Sequence, residues 1–129
     1  MSDKRGRDFD DFWAEYLHDH SNSHNRTLHV VGTLSAILVV VVAVAARMPL
    51  LLLLMPVVGY GPAWVGHFFV EHNRPTAMRQ PLWSLRADFK MTWLTLTGQL
   101  QTEMRRVQGL MLLAGTMIVP LTDLLTDVC

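Results

Sequence analysis

Two uncharged apolar runs separated by three residues govern what this chain can become. Leu28 to Ala46 carries no charged side chain over 19 residues, and Leu50 to Val70 carries none over 21. At about 1.5 Å of rise per residue, either run is long enough as a helix to cross a hydrocarbon layer of roughly 30 Å. Only Arg47, Met48 and Pro49 lie between them, which is room for a tight reversal. The competing reading is a hairpin buried in a soluble domain. A chain of 129 residues, however, offers little to cover two helices that are apolar on almost every face. The predicted fold class is all-α: a single domain built on an integral membrane helical hairpin, 28–46 and 50–72.

Basic residues set the expected orientation. Lys4, Arg5, Arg7 and Arg26 precede the first run, six more follow the second, and only Arg47 occupies the turn. The positive-inside rule then places both flanks in the cytoplasm and makes the protein multi-pass. No short apolar core follows the basic start, so a cleaved secretory signal is not expected and 28–46 would act as an uncleaved anchor. The formal net charge is zero, which argues against nucleic acid as a partner and leaves membrane lipid. A single cysteine, Cys129, excludes an internal disulfide and a cysteine-based zinc cluster. Nothing in the sequence fixes whether the chain forms an oligomer.

The flanks read as further helices. Over 8–19, Phe9, Phe12, Trp13, Tyr16 and Leu17 recur on one helical face, with Asp8 as N-cap; that face suits either the membrane interface or packing on the hairpin. Pro56, Gly59, Gly61, Pro62 and Gly66 predict a bend near Gly59 to Pro62, which would either permit close approach of the first span or open a slot for an acyl chain. Residues 84–106 read as an interfacial helix with Ser84 as N-cap. Residues 107–125 read as a short apolar or re-entrant helix.

Histidines gather where the hairpin meets water. His20 and His29 stand before and at the start of the first run, and His67 stands near the end of the second, so a hairpin returns all three to one membrane face. That convergence points to a metal site. Glu71 follows His67 by four, placing a carboxylate on the same helical face, either as a further ligand or in a hydrogen bond with Asn73 or Arg74. His18, His24 and His72 read as ordinary interfacial residues.

The residues also carry a resemblance. Tyr16, His20, Asn25 and His29, followed later by Gly66-His67, Glu71 and Arg74-Pro75, are arranged as in the domain of unknown function 962 family, over about Phe9 to Leu100. The characterised eukaryotic members of that family are iron(II)-dependent dioxygenases of 2-hydroxy fatty acids. The resemblance implies an α-oxidation step, in which a long-chain 2-hydroxy acid reacts with dioxygen and leaves an acid one carbon shorter. It also implies that His20, His29 and His67 are the catalytic metal histidines holding Fe(2+). One departure stands out: Ser21 occupies the place of a further histidine, so either Glu71 completes the ligand set or the activity has diverged.

The residue types agree with that chemistry. Imidazole and carboxylate suit non-haem iron(II), and three or four protein ligands leave positions open. Arg26 and Arg74 are the candidate clamps for a substrate carboxylate, since guanidinium offers two parallel hydrogen bonds, although either also serves as a lipid-phosphate anchor. Tyr16, Asn25 and Asp88 are candidates to orient the imidazoles. Two other classes compete with the enzyme: a non-catalytic membrane scaffold or transporter-associated protein with structural histidines, and a haem protein ligated by paired histidines.

Overall fold

Asp8 opens the first helix as its sequence suggests, its carboxylate accepting the Asp11 backbone N–H at 3.0 Å. In the computed structural model, which describes residues 8–75 and 78–113, every regular element is helical. Helix α1 (Phe9–Asp19) turns at His20 into α2 (Ser23–Ala45). Asn22 caps α2 by accepting the His24 N–H at 2.8 Å, so this helix begins five residues before the apolar run and carries a polar first turn.

After a reversal at 46–48 the chain returns through a 3-10 turn, Pro49–Leu54, into α3 (Met55–Val65) and then a π turn, Gly66–Glu71. The helix does not break at Gly59 to Pro62, because α3 continues through Pro62. The partner helix accounts for this. A Cβ at Gly32 would collide with the Gly59 carbonyl, and the Val58 carbonyl, which loses its helical donor to Pro62, also faces Gly32. Backbone contact between α2 and α3 supports the unbroken proline segment, and the irregular turns fall at the two ends of the second run.

The expected helix over 84–106 is two helices, α4 (Pro81–Leu96) and α5 (Leu100–Leu113). Gly98, at φ 72°, ends α4: the Gln99 N–H bonds the Leu94 carbonyl and the Gly98 N–H bonds the Thr95 carbonyl, the pairing that a left-handed glycine permits. Nor is Ser84 the N-cap. Proline is favoured at the first helical position, so α4 starts at Pro81 and buries Ser84 within its first turn. Of the predicted 107–125 helix, 107–113 belong to α5, and 114–125 lie outside the described residues.

The aromatic face of α1 is covered by protein. Phe12, Trp13, Tyr16 and Leu17 form the core with Ala87 and Met91 of α4 and Leu100 and Val107 of α5. Trp13 Nε1 donates to Glu103, whose carboxylate also accepts both Nε and Nη2 of Arg106 and stands 3.6 Å from Lys90 Nζ, so one anion ties three helices.

Two helices, Ser23–Ala45 and Pro49–Glu71, are long and apolar enough to cross a membrane. Only 28 % and 11 % of their most apolar windows is buried, whereas a soluble core helix would be mostly covered. Leu38, Val44, Leu53 and Phe69 point outward from the hairpin, a surface suited to hydrocarbon.

Candidate metal centre

Three elements each bring one imidazole to the end of the hairpin opposite its 46–48 reversal. His20 caps the C-terminus of α1, His29 lies within α2, and His67 sits in the π turn. All three are buried, and their ring centroids are 4.3, 4.6 and 4.9 Å apart in near-perpendicular pairs. One ligand atom from each lies within 4.8 Å of the others, the one such cluster among the described residues.

The Nδ1 partners fix which nitrogen faces inward. His20 Nδ1 meets the Tyr16 carbonyl at 2.6 Å, His29 Nδ1 meets Asp88 Oδ1 at 2.9 Å, and His67 Nδ1 meets Asn73 Oδ1 at 2.6 Å. The Asn73 amide is itself oriented, because its Nδ2 donates to the Asp19 carbonyl at 3.0 Å, leaving the oxygen for His67. All three Nδ1 atoms therefore donate to oxygen. Their Nε2 atoms are left as lone-pair donors directed at one another, and those of His20 and His29 are 3.0 Å apart. Two ligands about 2.1 Å from one ion at a near right angle have that separation, so the donor set fits a divalent transition metal. Burial, followed by the neighbouring His29 and His67, holds His20 well below the usual histidine range and so in its neutral, ligating form.

A second layer locks the rings. Tyr16 stacks on His20 with centroids 4.0 Å apart, and its hydroxyl donates to the same Asp88 oxygen that accepts from His29. Burial and then Asp88 push the Tyr16 phenol well above its ordinary range, keeping it a donor. Asp88 and Tyr16, expected to orient the imidazoles, thus lie in direct contact with His29 and His20. Asn73, weighed in the sequence only as a possible partner that would explain away the His67–Glu71 pair, proves to hold His67.

Other candidates stand elsewhere. Glu71 does not join the imidazoles: its carboxylate accepts the Asn22 N–H at 2.6 Å, the Ser21 hydroxyl at 3.3 Å and the Asn25 amide at 3.5 Å. An unbonded backbone donor at the start of α2 competes for that carboxylate and wins it. Ser21, at the departure from the family pattern, is therefore Glu71's partner at the α1–α2 corner. Arg26 is buried and donates to the His20 and Ser21 carbonyls at 3.0 and 2.6 Å, which stabilises the corner carrying His20. Arg74 is exposed. Asn25 is fully buried, with its amide oxygen in the space a Cβ of Gly66 would fill, so it spaces α2 from the π turn and no imidazole bond is found on it.

Beside the imidazoles lies a narrow chamber lined by His29, His67, Asp88, Tyr60, Trp64 and Ser84. Sequence reasoning missed Tyr60 and Ser84. Tyr60 falls among apolar residues, and Ser84 looked like a helix cap.

The family described as 2-hydroxy-palmitic acid dioxygenase Mpo1-like matches residues 6–100. No curated protein matches the chain, and no solved structure does.

Proposed function

Since this chain belongs to the 2-hydroxy-palmitic acid dioxygenase Mpo1-like family, we propose that it is an iron(II)-dependent dioxygenase that shortens 2-hydroxy fatty acids by one carbon. The observation that carries this reading is the convergence of three buried imidazoles whose Nδ1 atoms are all bonded outward. His20, His29 and His67 would hold Fe(2+), which when bound supplies the one-electron steps that let dioxygen react with a closed-shell acid. The reaction balances without another reductant: a 2-hydroxy acid and one dioxygen give the shorter acid, carbon dioxide and water, with the substrate supplying all four electrons.

The chain's own contribution is positional. Asp88 fixes the His29 tautomer and receives the Tyr16 hydroxyl, so a partly buried carboxylate balances positive charge beside the site. Core packing around Tyr16 and Trp13 excludes water from one side, and a narrow chamber lined by Tyr60 borders His29 and His67. A 2-hydroxy acid presents a hydroxyl and a carboxylate oxygen as a chelating pair, while its tail favours the hydrocarbon along the hairpin. We further assign both flanks, and with them the site, to the cytoplasmic face of a two-span protein, on the distribution of basic residues.

The direct test supplies iron(II), dioxygen and 2-hydroxypalmitic acid to anaerobically purified protein in lipid. The expected product is the acid one carbon shorter, lost in His67→Ala with helicity retained. Wild-type protein that binds iron yet shortens no 2-hydroxy acid would replace this reading with the non-catalytic membrane scaffold.

A further inference from the structure

A second cavity runs along the hairpin from the metal centre. It encloses about 410 Å³ between α2, α3 and α4, and its walls include Ile37, Val41, Met55, Leu85 and Phe89. Tyr60 and Asp88 line both this groove and the chamber over the imidazoles, so an apolar trough and a polar chamber meet at one junction. Ser84 supplies an independent observation at the polar end. It is 2 % exposed, lines the chamber, and its hydroxyl has no hydrogen-bond partner among the described residues. A buried hydroxyl left unpaired is costly, and a ligand oxygen arriving in the chamber relieves that cost.

We propose that this groove is the tail site for the acyl chain of the 2-hydroxy acid, with Ser84 hydrogen-bonding its polar head, an assignment that rests on the function proposed above. Occupancy by an acyl chain follows from the shape and setting of the groove. The groove follows α2 for the eight steps from Thr33 to Val41, about 12 Å, and the four steps from His29 to Thr33 bring the distance from the metal centre to about 18 Å, somewhat more than half of a roughly 30 Å hydrocarbon core. A chain as long as the acyl chain of a membrane lipid therefore fills it. Val41 and Phe89 are both about half exposed at its open side, so the ligand enters laterally from the bilayer and its tail need not cross water. Val41 marks the far end and sets how long a tail is accommodated.

The test uses the full-length protein in phosphatidylcholine vesicles. In competition between 2-hydroxypalmitic and 2-hydroxyoctanoic acids, Val41→Trp lowers the ratio of kcat/KM for the long over the short acid by about tenfold. Val42→Trp, on the opposite face of α2, leaves that ratio at its wild-type value. Ser84→Ala raises KM more than it lowers kcat, and it also raises the Tm of substrate-free protein, since the orphan hydroxyl is gone. Unchanged ratios in Val41→Trp, or an unchanged KM in Ser84→Ala, overturn the assignment while leaving the proposed reaction standing. A 2-hydroxy acid bearing a diazirine at the tail end provides a readout free of turnover. Labelling at Val41 and Met55 is expected, whereas labelling confined to the outer face at Leu38 and Val42 overturns the groove. Groove labelling by a protein that turns over no 2-hydroxy acid would retain the tail site and remove the reaction.

Discussion

The Nε2 atoms of His20 and His29 stand 3.0 Å apart although both rings direct Nδ1 at an oxygen acceptor. Two lone pairs at that distance repel unless a cation lies between them, so the protein should gain stability from a divalent metal. At a free metal concentration of about one hundred times Kd the gain is about 2.7 kcal/mol. Thermal melts with iron(II) or cobalt(II), before and after chelation, measure it, and a Tm indifferent to both would remove the metal centre.

Asp88 joins His29 to Tyr16 through one oxygen. Asp88→Asn is expected to weaken metal binding by about 10- to 100-fold, the usual effect of losing a ligand's orienting partner. Tyr16→Phe removes one of the two bonds and should weaken it less. Chelator competition on the two variants ranks them, and the reverse order would show that the Tyr16 hydroxyl matters more than the charge of the Asp88 carboxylate.

Backbone contact between the spans predicts opposite outcomes for two glycines. Gly32→Ala drives a methyl into the Gly59 carbonyl and should destabilise the hairpin by about 1–3 kcal/mol. At Gly61 a methyl would meet nothing within 4 Å, so Gly61→Ala should be neutral or stabilise by up to about 1 kcal/mol. Unfolding of both variants in mixed micelles gives the comparison.

Glu103 is held at about 2 from an ordinary 4.5, chiefly by its hydrogen bonds with Arg106. A carboxylate depressed in the folded state contributes stability in full above 4.5, and that contribution is lost as the pH falls toward about 2. Glu103→Gln should therefore lower Tm at neutral pH, with the difference from wild type narrowing through that acid window. A difference independent of pH would mean that the amide fails for steric rather than electrostatic reasons.

Ten of the eleven basic residues flank the hairpin, which predicts that Met48 faces away from the cytoplasm. With Cys129 replaced by Ser, Met48→Cys should react with an impermeant maleimide from the outer side and Ser21→Cys from the inner side. Labelling of both from one side would mean that the hairpin does not cross.

Much of this molecule was legible in its sequence because uncharged length and helical periodicity are local properties. The two spans, the cap at Asp8 and the convergence of His20, His29 and His67 follow from counting alone. The break at Gly98 was visible as a glycine, but whether a glycine ends a helix depends on the bonds its neighbours make, here from Gln99 to Leu94. Glu71 shows the harder limit. Four residues from His67 on an ideal helix, it should share that histidine's face, but in a π turn the angular step changes and the carboxylate meets the α1–α2 corner. The placement of Arg26 was hidden for a similar reason, since only the folded corner reveals the two carbonyls to which it donates.

The wide turn at Gly66–Glu71 closes through the His72 N–H, five residues from the His67 carbonyl, and through the Asn73 N–H to that same carbonyl at 2.9 Å. Such a loop holds one residue more than a regular helix would. Losing a single codon there would let the ladder regularise, improving the backbone bonds and turning Asn73 by about a quarter of a circle away from His67. A one-residue deletion within 68–71 is therefore expected to raise the Tm while weakening metal binding, two properties that this turn sets against each other.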